Sequence, residues 1–119
     1  MAEHNDLGKQ GEQIAVDYLL KNGYEILEQN YQARKGEIDI IARKEDWLIV
    51  IEVKTRTSVE YGNPEDFVNK KKIKLLVKAI DEYVEKTNLD LEIRFDIISV
   101  IKKNGNNTIE HLVDAFYYF

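Results

Sequence analysis

Apolar positions along the chain repeat with two periods, and each change of period marks a new element. From Asp6 to Asn22-Gly23 the spacing is helical: Leu7, Gly11, Ile14, Ala15 and Tyr18 share one arc, with Leu19 at its edge. Glu12 falls on the shoulder of that arc, near the buried side, and Asn22-Gly23 supplies a C-terminal stop. Three strand-like runs follow, over residues 24–30, 37–43 and 47–54, the last being the most hydrophobic stretch of the sequence. Asn63-Pro64 reads as the start of a short helical turn, with Asn63 as cap and Pro64 at the first position. The apolar phase then breaks at Asn69, because Phe67 and Val68 share no face with Ile73, Leu76, Val77, Ile80 and Val84. A main helix over about residues 70–86, capped by Asn69, is predicted. Residues 91–101 alternate as a strand, 102–107 form a turn around Gly105, and 108–113 make a last strand before the aromatic tail Phe116-Tyr117-Tyr118-Phe119. The predicted order is α-β-β-β-α-β-β. It is an α/β domain spanning residues 1–119, whose first three strands form an antiparallel meander with helices packed on the sheet.

The strand periodicity decides where charged residues meet. Successive side chains on a strand point to opposite faces, so Glu52 and Lys54 share one face while Ile49, Ile51 and Val53 take the other. On the preceding strand Glu37 and Asp39 share a face. The polar run Lys44-Glu45-Asp46 centres the hairpin turn between Glu45 and Asp46. Arg43 is then expected opposite Leu48, Ile41 opposite Val50, and Asp39 opposite Glu52, with Cβ atoms about 5 Å apart. Two carboxylates so placed in a partly buried site repel by about 3 kcal/mol at an effective dielectric near 20. Lys54 is one candidate to offset that repulsion, and a divalent cation held between the carboxylates is another. Hard oxygen donors favour Mg²⁺ or Mn²⁺ over zinc. Such a site suits phosphodiester hydrolysis, with Lys54 orienting the attacking water, serving as its base or stabilising developing charge. Glu12 is a candidate accessory ligand reaching in from the first helix. The bland alternatives are a solvated cross-strand ion pair for Glu52, Lys54 and Asp39, and a first-turn glutamate favoured by the helix dipole for Glu12. Glu37 reads as a solvated strand residue.

Composition narrows the chemistry further. The 119-residue chain carries a net charge of −5, so contact with nucleic acid requires a local basic surface. Lys71, Lys74 and Lys78 provide one on the helix face opposite the apolar stripe, and Arg56 and Arg34 are candidates nearer the site. A solvated helix surface explains the lysines equally well. The chain has no cysteine and only two histidines, His4 and His111, which excludes disulfides, thiolate zinc sites and, in practice, a histidine triad. Neither a signal peptide nor a membrane-length apolar run is visible, and a cytoplasmic protein is expected.

The residues also carry a family resemblance over nearly the whole chain, from Gly8 to about Phe116. Asp39 followed by Glu52-Val53-Lys54 resembles the Asp…Glu-x-Lys signature of the restriction-endonuclease-like superfamily. Gly8-x-x-Gly11-Glu12-x-x-Ala15, Gly36-Glu37-Ile38-Asp39-Ile40-Ile41-Ala42, Glu52-Val53-Lys54-x-Arg56 and Arg94-Phe95-Asp96 together resemble the uncharacterised bacterial YraN family, which is similar to archaeal Holliday junction resolvases. Where that family tends to carry an arginine, this chain has Gln32. The resemblance implies an αβββαβ core with one extra C-terminal strand and a mixed central sheet. It also implies Mg²⁺ dependence, nucleic acid substrates and, for junction cutting, a homodimer. The leading reading is a metal-dependent nuclease acting on DNA, with Asp39 and Glu52 as ligands, Lys54 beside the water and Glu12 as accessory. The alternatives are a nucleic-acid-binding module with weak or no turnover, and an interaction domain whose acidic cluster is an ion-pair network.

Overall fold

The computed structural model describes residues 2–57 and 68–116, with side chains from Leu7 onward. Its elements are α1 (Ala2–Lys21), β1 (Glu25–Gln32), β2 (Glu37–Lys44), β3 (Trp47–Arg56), α2 (Lys70–Thr87), β4 (Glu92–Lys103) and β5 (Asn106–Leu112). This is the order expected from the sequence. The helix start expected at Asn63-Pro64 lies outside the described residues, as do Tyr117, Tyr118 and Phe119 of the aromatic tail. α1 begins at Ala2 rather than Asp6, because the amphipathic stripe that signals it starts only at Leu7.

The five strands lie side by side in sequence order. β1, β2 and β3 form the antiparallel meander; β3 and β4 run parallel with α2 in the crossover between them; β5 returns antiparallel to β4. Each face of this mixed sheet is covered by one helix. Ala15, Val16 and Leu19 of α1 pack on Ile40, Ile49, Ile51 and Ile98. Leu76, Ala79, Ile80 and Tyr83 of α2 pack on Ile41, Leu48, Val50 and Phe95. β3 is therefore buried on both sides, which explains its near-continuous apolar run. Phe116, at the start of the aromatic tail, stacks on Phe95 with ring centres 5.1 Å apart. Among the described residues, no helix is long and apolar enough to cross a membrane.

The Arg94-Phe95-Asp96 motif proves to be a structural pin. Asp96 is fully buried on the α1 side of β4. Its carboxylate receives two hydrogen bonds from the Arg94 guanidinium, at 2.9 and 2.8 Å, and one from the Asp114 N–H at 3.0 Å. His111 Nε2 stands 2.7 Å away, with His111 Nδ1 in turn 3.0 Å from the Tyr18 hydroxyl. Arg94 also donates to the Tyr24 hydroxyl. One buried charge thus ties β5 and the C-terminal segment to β4, α1 and the residue preceding β1. These bonds hold the Asp96 carboxyl below its ordinary value despite burial, which pushes the other way.

Candidate metal-binding and catalytic site

The turn between β2 and β3 forms as the polar residues demand. Lys44 pairs with Trp47, Arg43 with Leu48 and Ile41 with Val50, and Glu45 takes a left-handed backbone with φ of 56°. The ladder ends at Ile40–Ile51, one step before Asp39 would face Glu52. Beyond that point the strands are joined by side chain: Asp39 Oδ2 accepts the Val53 N–H at 2.8 Å. The expected cross-strand pairing of the two carboxylates is replaced by an open ladder end, which gathers them at the mouth of a cleft.

That cleft, of about 250 Å³, is lined by Glu12, Asp39, Glu52, Val53, Lys54, Val68, Lys72 and Ile97. Glu12 reaches it because α1 lies almost on the strand at this point. A Cβ on Gly11 would come within 2.7 Å of Thr55 Cβ and 2.8 Å of its Cγ2, so only glycine permits this approach. Glu12 sits in the third turn of α1, too far from the N-terminus for the helix dipole to account for it. On the opposite side, Gly36 has φ of +106° and closes the β1–β2 turn, its carbonyl accepting the Ala33 N–H at 3.0 Å. A Cβ there would meet Leu75 Cβ and O of α2 at 3.2 and 3.3 Å, so the start of β2 is held tightly against that helix.

Electrostatics mark the cleft as a place of unbalanced negative charge. Burial raises the Glu52 carboxyl from an ordinary 4.5 to about 7, and the Asp39 charge adds to this, while Lys72 and the Asp39 N–H pull the other way. Burial also raises Asp39, against the Val53 N–H and Lys72. Glu12 is raised by burial and then by the Asp39 charge, with the Asn30 side chain opposing as a hydrogen-bond donor. Asn30 adopts a left-handed backbone, φ 52°, within β1. Glu37 is exposed, bonded to Gln32 at 2.5 Å, and adds its charge to Asp39.

One residue of the cleft escaped sequence reasoning. Lys72 Nζ lies 2.9 Å from Glu52 Oε1, forming an ion pair in the cleft. The basic helix had suggested only Lys71, Lys74 and Lys78, which are exposed on its outer face. The signal was present: Lys72, Leu76, Ala79 and Tyr83 follow one another at helical spacing on the stripe that faces the sheet. Lys54 lines the cleft from the Glu52 face of β3. Arg56 is on that same face but only 9% exposed. Arg34 lies apart, lining with Lys78 and Lys86 a groove that also holds Asp81, Glu82 and Glu85.

The donor set can be tested against a metal. Among the described residues, no group of three or more His, Cys, Asp or Glu side chains is already closed around a metal position. Mg²⁺ does not need one, since it is commonly held by one or two carboxylates and retains several waters. Glu52 Oε2 is buried and has no hydrogen-bond partner among the described residues. A buried carboxylate oxygen left unbonded costs free energy unless something electropositive meets it. Asp39, Glu52 and Glu12 are hard oxygen donors, so these residues fit Mg²⁺ or Mn²⁺ and do not fit zinc.

Residues 11–100 match the uncharacterised protein family UPF0102. The chain is 60% identical over its full length to a UPF0102 protein of Flavobacterium psychrophilum and 57% identical to one of Christiangramia forsetii, covering each completely. It is 48% identical over 117 residues to a UPF0102 protein of Phocaeicola vulgatus, with 98% of this chain and 97% of that one aligned.

Proposed function

The chain belongs to the uncharacterised protein family UPF0102, a membership that fixes no activity, and we propose from its site that it is a Mg²⁺- or Mn²⁺-dependent endonuclease acting on DNA. The observation that carries the proposal is the buried Glu52 Oε2, without a hydrogen-bond partner among the described residues, beside Asp39, with Lys54 at the same cleft. Asp39 and Glu52 would hold the cation. When bound, the metal supplies Lewis-acid polarisation of a phosphoryl oxygen and an acidified water. Lys54, at the cleft, neutralises charge gathering on the phosphoryl oxygens or orients the attacking water. Glu12 faces the same space from α1 and would serve as an accessory acceptor for the metal or its water. The exposed Lys71, Lys74 and Lys78 offer phosphate contacts on a chain whose overall charge of −5 repels DNA. Branched DNA is the substrate class to test first. Cutting both strands of a junction requires two sites, and therefore a homodimer.

Incubation of branched, duplex and single-stranded DNA, and of RNA, with Mn²⁺ tests the activity. Cleavage by the wild type above the level of Glu52→Ala is expected, and none across all substrates would refute it. The metal is tested separately by melting: Mg²⁺ or Mn²⁺ should raise the Tm of the wild type and not that of Asp39→Asn. One observation favours a second reading, a nucleic-acid-binding module without turnover. Lys72 already neutralises Glu52 without any metal. Tight DNA binding that is indifferent to Mg²⁺ would select it.

A further inference from the structure

Lys72 is in an unexpected place for a lysine. α2 is capped by Asn69, whose side chain accepts the Lys72 N–H at 2.9 Å, and then carries Lys70, Lys71, Lys72 and Lys74 with no acidic residue in its first turn. Positive charge at a helix N-terminus opposes the macrodipole, so these lysines do not serve the helix. Lys72 is turned to the sheet side, and its ammonium reaches Glu52 Oε1 while Glu52 Oε2 has no hydrogen-bond partner among the described residues. The Lys72 side chain remains 49% exposed against 8% for Glu52, so the ammonium can leave the carboxylate and be hydrated, whereas Glu52 cannot. The Asp39 charge also acts on Lys72, so the ammonium sits in the field of both proposed metal ligands.

We propose that Lys72 and a divalent cation exchange on Glu52: the ammonium supplies the positive charge of the metal-free site, and metal binding releases it towards the substrate phosphate. This rests on the metal-site reading above. It adds that a loaded site presents one more phosphate-binding cation than a metal-free one, so that metal and DNA favour each other's binding. By linkage, DNA that engages the released ammonium tightens the metal by the same factor.

Mn²⁺ binding, followed by loss of the free-ion EPR signal at pH 8 and fixed ionic strength, tests the exchange. Lys72→Met should bind Mn²⁺ roughly tenfold more tightly than wild type, because the competing charge is gone. Lys103→Met, at the end of β4, makes the same change in net charge and should shift affinity less than about twofold. Lys72→Arg covers the case in which the methionine variant fails to fold. A guanidinium can bond both Glu52 oxygens and should weaken Mn²⁺ binding. Equal or weaker binding by Lys72→Met, or equal or tighter binding by Lys72→Arg, would overturn the exchange while leaving the metal site intact. Mn²⁺ bound by none of these proteins would overturn the metal site and the exchange with it. The release has its own readout in the salt dependence of DNA binding. With Ca²⁺ present, Lys72→Met should lower the slope by about one relative to wild type, and in chelator it should leave the slope unchanged. An equal effect in both conditions would overturn the release.

Discussion

Replacing Glu52 by glutamine separates the charge of the site from its shape. Glutamine mimics the protonated carboxyl, so the substitution removes only what ionisation costs the fold. Burial, followed by the Asp39 charge, raises Glu52 from 4.5 to about 7. A carboxyl raised on folding takes up a proton across that interval, so its contribution is most favourable below the unfolded value. Stability is lost as pH rises from about 4.5 towards 7, and the loss is complete above the folded value. The interval corresponds to about 3 kcal/mol. In chelator, Glu52→Gln should therefore match wild type near pH 4.5 and exceed it by about 2–3 kcal/mol at pH 8, or roughly 10 °C in Tm. Thermal and urea unfolding followed by circular dichroism, at a series of pH values, measures this difference. Excess Mg²⁺ should shrink or reverse it at pH 8 by stabilising the wild type alone. A gap between the two proteins that is the same at pH 4.5 and pH 8, or a less stable glutamine variant at pH 8, would refute the reasoning that Glu52 is a strained buried charge.

Two glycines of α1 should respond in opposite directions. Gly8→Ala meets nothing within 4 Å and should stabilise by up to about 1 kcal/mol through helix propensity, whereas Gly11→Ala collides with Thr55 and should destabilise by about 1–3 kcal/mol in urea titrations. Asp96→Asn should cost about 3 kcal/mol at pH 7 by breaking a buried charge network. Because the Asp96 carboxyl is held below its ordinary value, its contribution is present above the unfolded value near 4 and is lost as pH falls through the folded one. The acid limb of the Asp96→Asn stability curve should be correspondingly flatter. Replacing Lys71, Lys74 and Lys78 together should lower the salt slope of DNA binding by about two to three, and an unchanged slope would remove that face from the interface.

Much of this architecture was legible in the sequence because local rules and tertiary packing agree. The polar Lys44-Glu45-Asp46 run fixed the hairpin centre, and strand alternation then placed Asp39, Glu52 and Lys54 near one another. What alternation could not convey is that the ladder stops after Ile40–Ile51, since a pairing rule assumes that pairing continues. Lys72 was hidden inside a run of lysines whose neighbours do face solvent. Its position on the buried stripe follows from Leu76, Ala79 and Tyr83 at helical spacing, but Lys72 stands at the helix start, where the stripe has only just begun. Arg56 has the alternation of a site residue, but its covering depends on tertiary packing that a strand pattern does not contain. Arg94 and Asp96 alternate with Ile93, Phe95 and Ile97, a pattern that by itself fits a strand with a solvated polar face. They lie on a buried face because β4 is central and covered by α1, and they satisfy one another there.

The open end of the β2–β3 hairpin carries a cost for any attempt to improve this protein by stability alone. Asp39 and Glu52 stand where a β-branched cross-strand pair would let two strands zip further and would fill the cleft with apolar surface. Selection for thermal endurance, with no assay for metal or DNA, should therefore replace these two carboxylates early. Variants recovered that way would fold better and have lost the cleft. The persistence of both acids under such a screen would be independent testimony that they serve the fold rather than a ligand.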